Sequence, residues 1–306
     1  MNLASTLNNN YAVTVGFFDG IHLGHRYLIE ELKKAARARG LKSMIITFKE
    51  HPLRVIDATF KPELLTSNSE KLEQLQSFGI DKVIELDFTK EMANLTAGKF
   101  IKQVLYEQFD VRLLLVGHDH RFGKDRKEGF VEYQKYGQQL GMDVIQASRF
   151  STEEFKQISS STIRKALKAG KIKKVNALLT HPYSFEGYVV DGFKVGRKIG
   201  FPTANLRLVE PDKILPGIGV YAVEIEWEQA IYKGMMNIGR RPTIDNSDTI
   251  SIEVHIINFD SDIYNQQLKV TFIDKIRDEK KFNSVEELIE QLKIDKEYVS
   301  TLPTSK

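Results

Sequence analysis

Apolar positions along this 306-residue chain change their spacing near its middle. The first half alternates short, continuous apolar runs with stretches whose apolar residues recur every three or four positions. The runs at 11–16, 42–48, 82–88, 112–117 and 142–147 predict strands. The periodic stretches near 23–39, 69–78, 97–108 and 127–140 predict helices, with Leu28, Ile29, Leu32, Ala35 and Ala36 marking one face of the first. Continuously apolar strands alternating with helices predict a parallel sheet covered on both faces, whose ligands bind beyond the carboxyl ends of the strands. Beyond Thr180–Gly187 the pattern shortens. Runs at Gly187–Val190, Ala204–Val209, Val220–Trp227, Tyr232–Ile238, Ser251–Ile257 and Leu268–Ile273, separated by turn residues, predict a small antiparallel barrel. A helix over 284–292, with Ser284 and Glu287 as a capping box, closes it. The helical stretch 161–179 joins the halves, giving expected domains at 1–180 and 181–306.

Chemistry concentrates where these elements meet. Gly16-Phe17-Phe18-Asp19-Gly20-Ile21-His22-Leu23-Gly24-His25 lies between the first strand and the first helix. Its glycines allow sharp turning and close approach of a ligand. His22 and His25 are three apart, so in a first helical turn they share a face at the electropositive N-terminus, where phosphate binds. A metal site is disfavoured because no third ligand sits close by in sequence. Gly117-His118-Asp119-His120-Arg121-Phe122-Gly123 follows a later strand. Ile158-Ser159-Ser160-Ser161-Thr162-Ile163-Arg164 opens a helix. Its hydroxyls are good caps, and with Arg164 they also make an anion site.

A second phosphate signature lies some 170 residues further on. Gly192, Gly196 and Gly200 make a loop able to cradle phosphates through backbone N–H groups. Phe201-Pro202-Thr203-Ala204-Asn205 follows. Thr203 and Asn205 face the same way on a strand and offer hard oxygen ligands suited to a cation already held by phosphates. On the strand Ser251–Ile256, alternation puts Ser251, Glu253 and His255 on one face. Transfer to a hydroxyl benefits from a base, and Glu253 is the candidate, with His255 able to orient its neighbours.

The first three strings resemble the nucleotidyltransferase module of the bacterial bifunctional riboflavin kinase/FMN adenylyltransferases. Residues 187–282 resemble that family's riboflavin kinase module. The resemblance spans nearly the whole chain. It implies a Rossmann-like α/β nucleotidyltransferase domain followed by a riboflavin kinase β-barrel, with ATP, riboflavin and FMN as substrates, FMN as intermediate, FAD as product and Mg²⁺ as cofactor. It implies nucleotide contacts at Gly16, Phe17, Asp19, Gly20, Gly24, Asp119, Ser159, Ser160, Ser161, Gly192, Gly196, Gly200 and Pro202. His22, His25 and Arg164 would serve adenylyl transfer, and Glu253 would be the kinase base. Thr203 and Asn205 would hold Mg²⁺. Arg277 and Phe282 would contact the flavin, and Asn237–Thr243 would lie near the nucleotide. Two positions depart from the family pattern: His120 stands where an aromatic is usual, and Glu50 where proline is usual.

Composition narrows the picture. The chain is 42% hydrophobic and 28% charged and contains no cysteine, which fits a cytoplasmic enzyme and excludes disulfide and thiolate chemistry. A net charge of +3 gives no footprint for nucleic acid, and Lys165–Lys174 suits a solvated helix face. The polar stretch Met1–Asn10 lacks the basic-then-apolar order of an export signal, and no run approaches the ~18 apolar residues of a membrane span. Oligomeric state is left open, with room for a weak homo-oligomer. Three rival functions stand beside the main one. A transferase acting on another acceptor is opposed by residues 187–282. A lone kinase is opposed by the intact histidines. A non-catalytic flavin binder is opposed by Glu253 with Thr203 and Asn205.

Overall fold

A computed structural model describes residues 10–151, 158–192, 195–241 and 249–304. The chain forms two compact units, Met1–Ser159 and Ser160–Lys306.

The first unit is built on five parallel strands, β1 (Tyr11–Val15), β2 (Lys42–Phe48), β3 (Lys82–Leu86), β4 (Val111–Val116) and β5 (Asp143–Gln146), in the order β3-β2-β1-β4-β5. Every residue of β1 is buried, because alternate side chains enter different cores. Val13, Val15, Met44 and Ile46 pack under the helix Phe130–Leu140 and under a helix that starts at Ala97 and runs in π form over Phe100–Gln108. Ala12, Ile45, Leu113 and Leu115 meet the helices Leu23–Ala38 and Asn68–Ser77 on the other face. Coverage on both faces is why these strands carry unbroken apolar runs. All five strands and the four principal helices lie where the hydrophobic pattern puts them, while the short helices Pro52–Ile56 and Lys90–Ala93 were not expected. Strand order reverses between β1 and β4. That is the place where such sheets bind ligands, and Gly16–His25 and Gly117–Gly123 leave those two strands.

In the second unit, β6 (Ser184–Val190), β7 (Ala204–Leu208), β8 (Gly219–Trp227), β9 (Ala230–Arg241), β10 (Thr249–Ile256) and β11 (Gln267–Arg277) close an antiparallel barrel in the order β10-β7-β6-β11-β8-β9. Phe272 stacks or edges against Tyr183, Phe185 and Tyr221. The helix Val285–Thr301 covers a patch of Phe201, Ala222, Met235, Ile257 and Val299. It is two turns longer than the sequence pattern suggests. Its capping box is only half formed: Ser284 accepts from Glu287 N, but the Glu287 carboxylate takes the N–H of Asn283 instead of Ser284. The full reciprocal box sits at Ser67 and Glu70.

The compact units divide at 159/160. The helices Ser160–Lys168 and Ile172–Leu179 bond to the barrel. Asn176 Nδ2 donates to the Phe272 carbonyl (3.0 Å), Tyr183 N donates to Asn176 Oδ1 (2.9 Å), and Gly217 N donates to the Leu167 carbonyl (3.2 Å). Among the described residues, no helix is long and apolar enough to cross a membrane.

Candidate active sites

The loop after β1 is held from three sides. Gly16 N donates to the Ile46 carbonyl (3.0 Å), Thr47 Oγ1 donates to the Phe17 carbonyl (3.2 Å), and Gly20 N donates to Thr66 Oγ1 (3.1 Å). Asp19 is 4% exposed, and its Oδ1 accepts from Leu65 N (2.8 Å) and Thr66 N (3.1 Å). Phe18, Gly20 and Ile21 all have left-handed backbone, with φ of 57°, 82° and 37°. Two of these are not glycine, so the loop is strained and the buried bonds hold it there.

The helix begins at Leu23, so His22 is its cap rather than a first-turn residue, and His25 is the third helical residue. His22 Nδ1 accepts from His25 N (3.3 Å), so the ring proton sits on Nε2. The two imidazoles stack with centroids 3.8 Å apart, and the Phe18 ring meets His25 edge-on at 5.2 Å. Burial, then the neighbouring His22 and His120, hold His25 well below the usual histidine value. The stacked imidazole pair thus sits at the N-terminus of the helix Leu23–Ala38, the end of a helix that suits an anion. Gly24 lies beside this pair, where a Cβ would stand 3.2 Å from the His22 ring and 3.7 Å from the Ile158 carbonyl, at the start of the serine-rich string. Ser159 precedes the helix Ser160–Lys168, which carries Ser160, Ser161 and Arg164 in its first turns.

Beyond β4, His118, Asp119, His120 and Arg121 line a cavity of ≈350 Å³ with Gly129, Phe130 and Gln146. Burial, then the charge of Arg126, push His120 down to about 4. Its ring, 6.0 Å from Phe122, is therefore uncharged at neutral pH and still serves as a flat aromatic surface. The other departure, Glu50, lies on the exposed surface just after β2.

Lys71 was not anticipated. It is 2% exposed, donates to the Phe48 carbonyl (2.5 Å) and places its ammonium 4.4 Å from the centre of the Phe17 ring. Burial lowers it to about 8 against the pull of Glu85 and Asp19. The edge of His51 meets the same Phe17 ring at 4.8 Å, so Phe17 is fixed by a cation–π contact and an aromatic one. A signal for Lys71 exists in the sequence, since it shares a helical face with Leu75, four residues on.

In the barrel, β7 and β10 pair Glu253 with Asn205 and Val254 with Ala204. This brings together residues some fifty positions apart, and Thr203 Oγ1 lies 3.5 Å from Glu253 Oε2. His255 Nδ1 lies 2.8 Å from the Pro202 carbonyl. Next to Thr203 opens a cavity of ≈590 Å³ lined by Arg197, Pro202, Ala204, Phe259, Asp260 and Tyr264 among others, within the range of small-molecule sites of about 300–1,000 Å³. The segment 259–264 escaped the sequence reading because its contribution is a loop wall, with no periodicity or charge pattern to mark it.

Of the three loop glycines, Gly196 lies in the short helix Val195–Lys198 and Gly200 has φ of 81°. Gly192 is the one that the site itself demands. A Cβ there would fall 2.0 Å from Asn205 Nδ2 and 2.5 Å from its Cγ. Gly192→Ala must therefore displace Asn205, an overpacking of about 1–3 kcal/mol. It is expected to lower the rate of the reaction at this cleft about ten- to hundred-fold while leaving the reaction of the first unit at the parent rate. An unchanged rate there would remove Asn205 from the site.

Arg277 turns its guanidinium onto Asp295 of the last helix, with Nε and Nη2 each 2.9 Å from Oδ2, and onto the Asp278 carbonyl through Nη1 (3.2 Å). Asp295 is 1% exposed and also accepts from Gln291 (2.9 Å). Arg277, expected at the flavin, thus holds these protein acceptors. Its guanidinium lies 5.7 Å from the centre of the Phe282 ring, so the pair props that aromatic. A Cβ on Gly239 would stand 2.5 Å from Glu279 Oε1, which places the 277–282 segment beside Asn237–Gly239. Pro242 and Thr243 of that string, Phe193 and Lys194 of the glycine loop, and Met1–Asn9 lie outside the described residues.

A Rossmann-like sheet with a buried, left-handed glycine loop at its switch point, joined to a closed barrel with a second polar cleft, defines a two-module nucleotide-using enzyme. The family model for FAD synthetase matches residues 4–162, and that for riboflavin kinase matches residues 179–302. The chain is 37% identical over 295 residues to the bifunctional riboflavin kinase/FMN adenylyltransferase of Escherichia coli K12, covering 96% of this chain and 93% of that one. It is 36% identical over 296 residues to that of Buchnera aphidicola, covering 96% and 94%, and 35% identical over 289 residues to that of Bacillus subtilis, covering 93% and 90%. A crystal structure from Streptococcus pneumoniae, described as a macrolide-efflux protein, superposes with a TM-score of 0.86 at 34% identity, covering 96% and 95%. The chain belongs to the bifunctional riboflavin kinase/FMN adenylyltransferase family.

Proposed function

We infer that this chain carries out both reactions of its family, at separate sites: riboflavin plus ATP gives FMN and ADP, then FMN plus ATP gives FAD and pyrophosphate. The observation that carries the reading is the joining of Glu253 to Thr203 and Asn205 across β10 and β7, alongside the His22–His25 pair at the head of a helix on the other unit.

In the kinase step the ribityl hydroxyl oxygen attacks the γ-phosphorus of ATP, the bond to the ADP oxygen breaks, and Glu253 takes the hydroxyl proton. Gly192, Gly196 and Gly200 hold the phosphates. The cavity beside Pro202, with Phe259 and Tyr264 in its wall, suits the adenosine end. Thr203 Oγ1 and Asn205 Oδ1 are hard donors that fit Mg²⁺. When bound, the ion would supply charge neutralisation to the phosphates. Two protein oxygens alone would not fill its shell, so phosphate oxygens and waters would be needed beside Thr203 and Asn205. Phe282, propped by Arg277, suits the flavin ring.

In the adenylyl step the FMN phosphate is already anionic and needs no base. Its oxygen attacks the α-phosphorus of ATP and pyrophosphate leaves. His22, His25 and the loop Gly16–Gly24 align and stabilise the triphosphate, and Phe17 and Asp19 keep that loop in shape. Asp119 belongs to the cavity after β4. For Ser159, Ser160, Ser161 and Arg164 the support is the sequence string alone. ATP-dependent chemistry in a chain without cysteine fits a cytoplasmic setting.

The test is a time course of purified protein with riboflavin, ATP and Mg²⁺, resolved by chromatography. FMN is expected first and then gives way to FAD. FMN that accumulates without FAD would leave only the barrel active. Absence of both products would overturn the reading.

A further inference from the structure

His255 sits on β10 two residues past Glu253 and is 8% exposed. The pairing of β10 with β7 stops at Val254–Ala204. Pro202, on the β7 side, has no N–H with which to extend it. At the point where the backbone ladder ends, the His255 side chain takes over, with Nδ1 2.8 Å from the Pro202 carbonyl. A carbonyl only accepts, so Nδ1 carries the proton. Nε2 is buried with no hydrogen-bond partner. An apolar side chain would fill this place without burying an unpaired nitrogen, so the imidazole contributes through its Nδ1 side. Burial lowers the pKa of His255, which keeps the ring neutral and the donor assignment fixed. The Phe201 ring meets His255 edge-on at 5.2 Å, and Phe201 is itself anchored under the last helix. The imidazole is therefore held on one side by a fixed wall and bonds to backbone on the other.

The carbonyl it grips belongs to the peptide linking Pro202 to Thr203. Fixing that plane fixes the backbone from which Thr203 Oγ1 reaches toward Glu253 Oε2, 3.5 Å away. We propose that His255 is a positioning residue for riboflavin phosphorylation: its Nδ1–H···O=C bond to Pro202 closes a ring through Thr203 and Glu253 that sets the cation ligand and the base in mutual register. The proposal rests on the kinase reading of this cleft.

The two ring nitrogens make opposite predictions, which three substitutions separate. Asn places an N–H near the Nδ1 position, Gln places one near the Nε2 position, and Leu places none. His255→Asn is expected to retain kcat for riboflavin phosphorylation within about threefold. His255→Gln and His255→Leu are expected to lose about 10²-fold, the scale of an ångström-sized misplacement of catalytic groups, with KM for riboflavin little changed. FMN adenylylation in all three should equal the parent and serves as the internal control for intact protein. Rescue by Gln rather than Asn would assign the role to Nε2 and overturn the proposal. So would parent-like kcat in His255→Leu, or loss in Asn equal to that in Leu. A parent enzyme that makes no FMN from riboflavin would instead sink the kinase reading itself.

Discussion

Glu253→Ala is expected to abolish measurable FMN formation from riboflavin while the protein still converts supplied FMN to FAD. A positioned general base is worth about 10²–10⁴-fold in rate, or about 3 to 5 kcal/mol of barrier. Glu253 is the carboxylate that the β10–β7 pairing brings against Thr203 and Asn205. It is only partly buried, so truncation leaves no buried charge unpaired and the barrel should melt near the parent temperature. Glu253→Gln separates two roles. It keeps the shape and the capacity to accept from Thr203 but cannot take a proton. A Gln variant as slow as the Ala variant assigns the carboxylate to proton transfer. A Gln variant with near-parent activity would reduce Glu253 to a spacer and leave the base unidentified. Loss of FAD formation from supplied FMN in either variant would contradict separate sites.

The mirror-image result is expected for His25→Ala, with riboflavin converted to FMN at the parent rate and FMN accumulating because its adenylylation falls about 10²–10³-fold. That is the usual cost of removing one preorganised donor from developing phosphate charge. His25 is the cleaner target of the pair. Its backbone N–H, which His22 Nδ1 caps, survives the substitution, whereas His22→Ala would also remove a helix cap worth about 1 kcal/mol. Truncation does remove the stacking on His22 and the edge contact with Phe18. His25→Gln therefore serves as a companion that restores a neutral donor in the same volume. Steady-state rates for the two half-reactions, measured separately, decide the matter. Equal loss of both activities in His25→Ala would refute the two-site picture.

Much of this was legible in the order of residues. Unbroken apolar runs between amphipathic stretches demand a sheet buried on both faces, because no other arrangement removes Tyr11–Val15 and Met44–Phe48 from water while pairing their backbones. Gly16–His25 and Phe201–Asn205 carry their chemistry locally, in glycines, histidines and a Thr-x-Asn spacing whose meaning survives without neighbours. Alternation on Ser251–Ile256 put Glu253 and His255 on one face before any partner was known.

Other features depend on which segments meet. Lys71 and Asp295 occupy stripe positions where a pattern of apolar residues has no reason to tolerate charge. The explanation lies across the fold, in the Phe48 carbonyl and Phe17 ring for one and in Arg277 for the other. His22 is a cap because its side chain takes the N–H of His25 at the head of a helix that starts at Leu23, a bond that the motif spacing alone does not reveal. The last helix brings Arg277 a buried carboxylate that its local sequence does not announce. The loop 259–264 became a cavity wall only through its position beside Pro202 and Thr203. The sequence by itself therefore determined the two architectures and the kind of chemistry each holds, since periodicity and short motifs are local properties. Tertiary structure alone decided which ring nitrogen carries the proton, which charges are already paired and which backbone is clamped, because those depend on atoms brought together from distant parts of the chain.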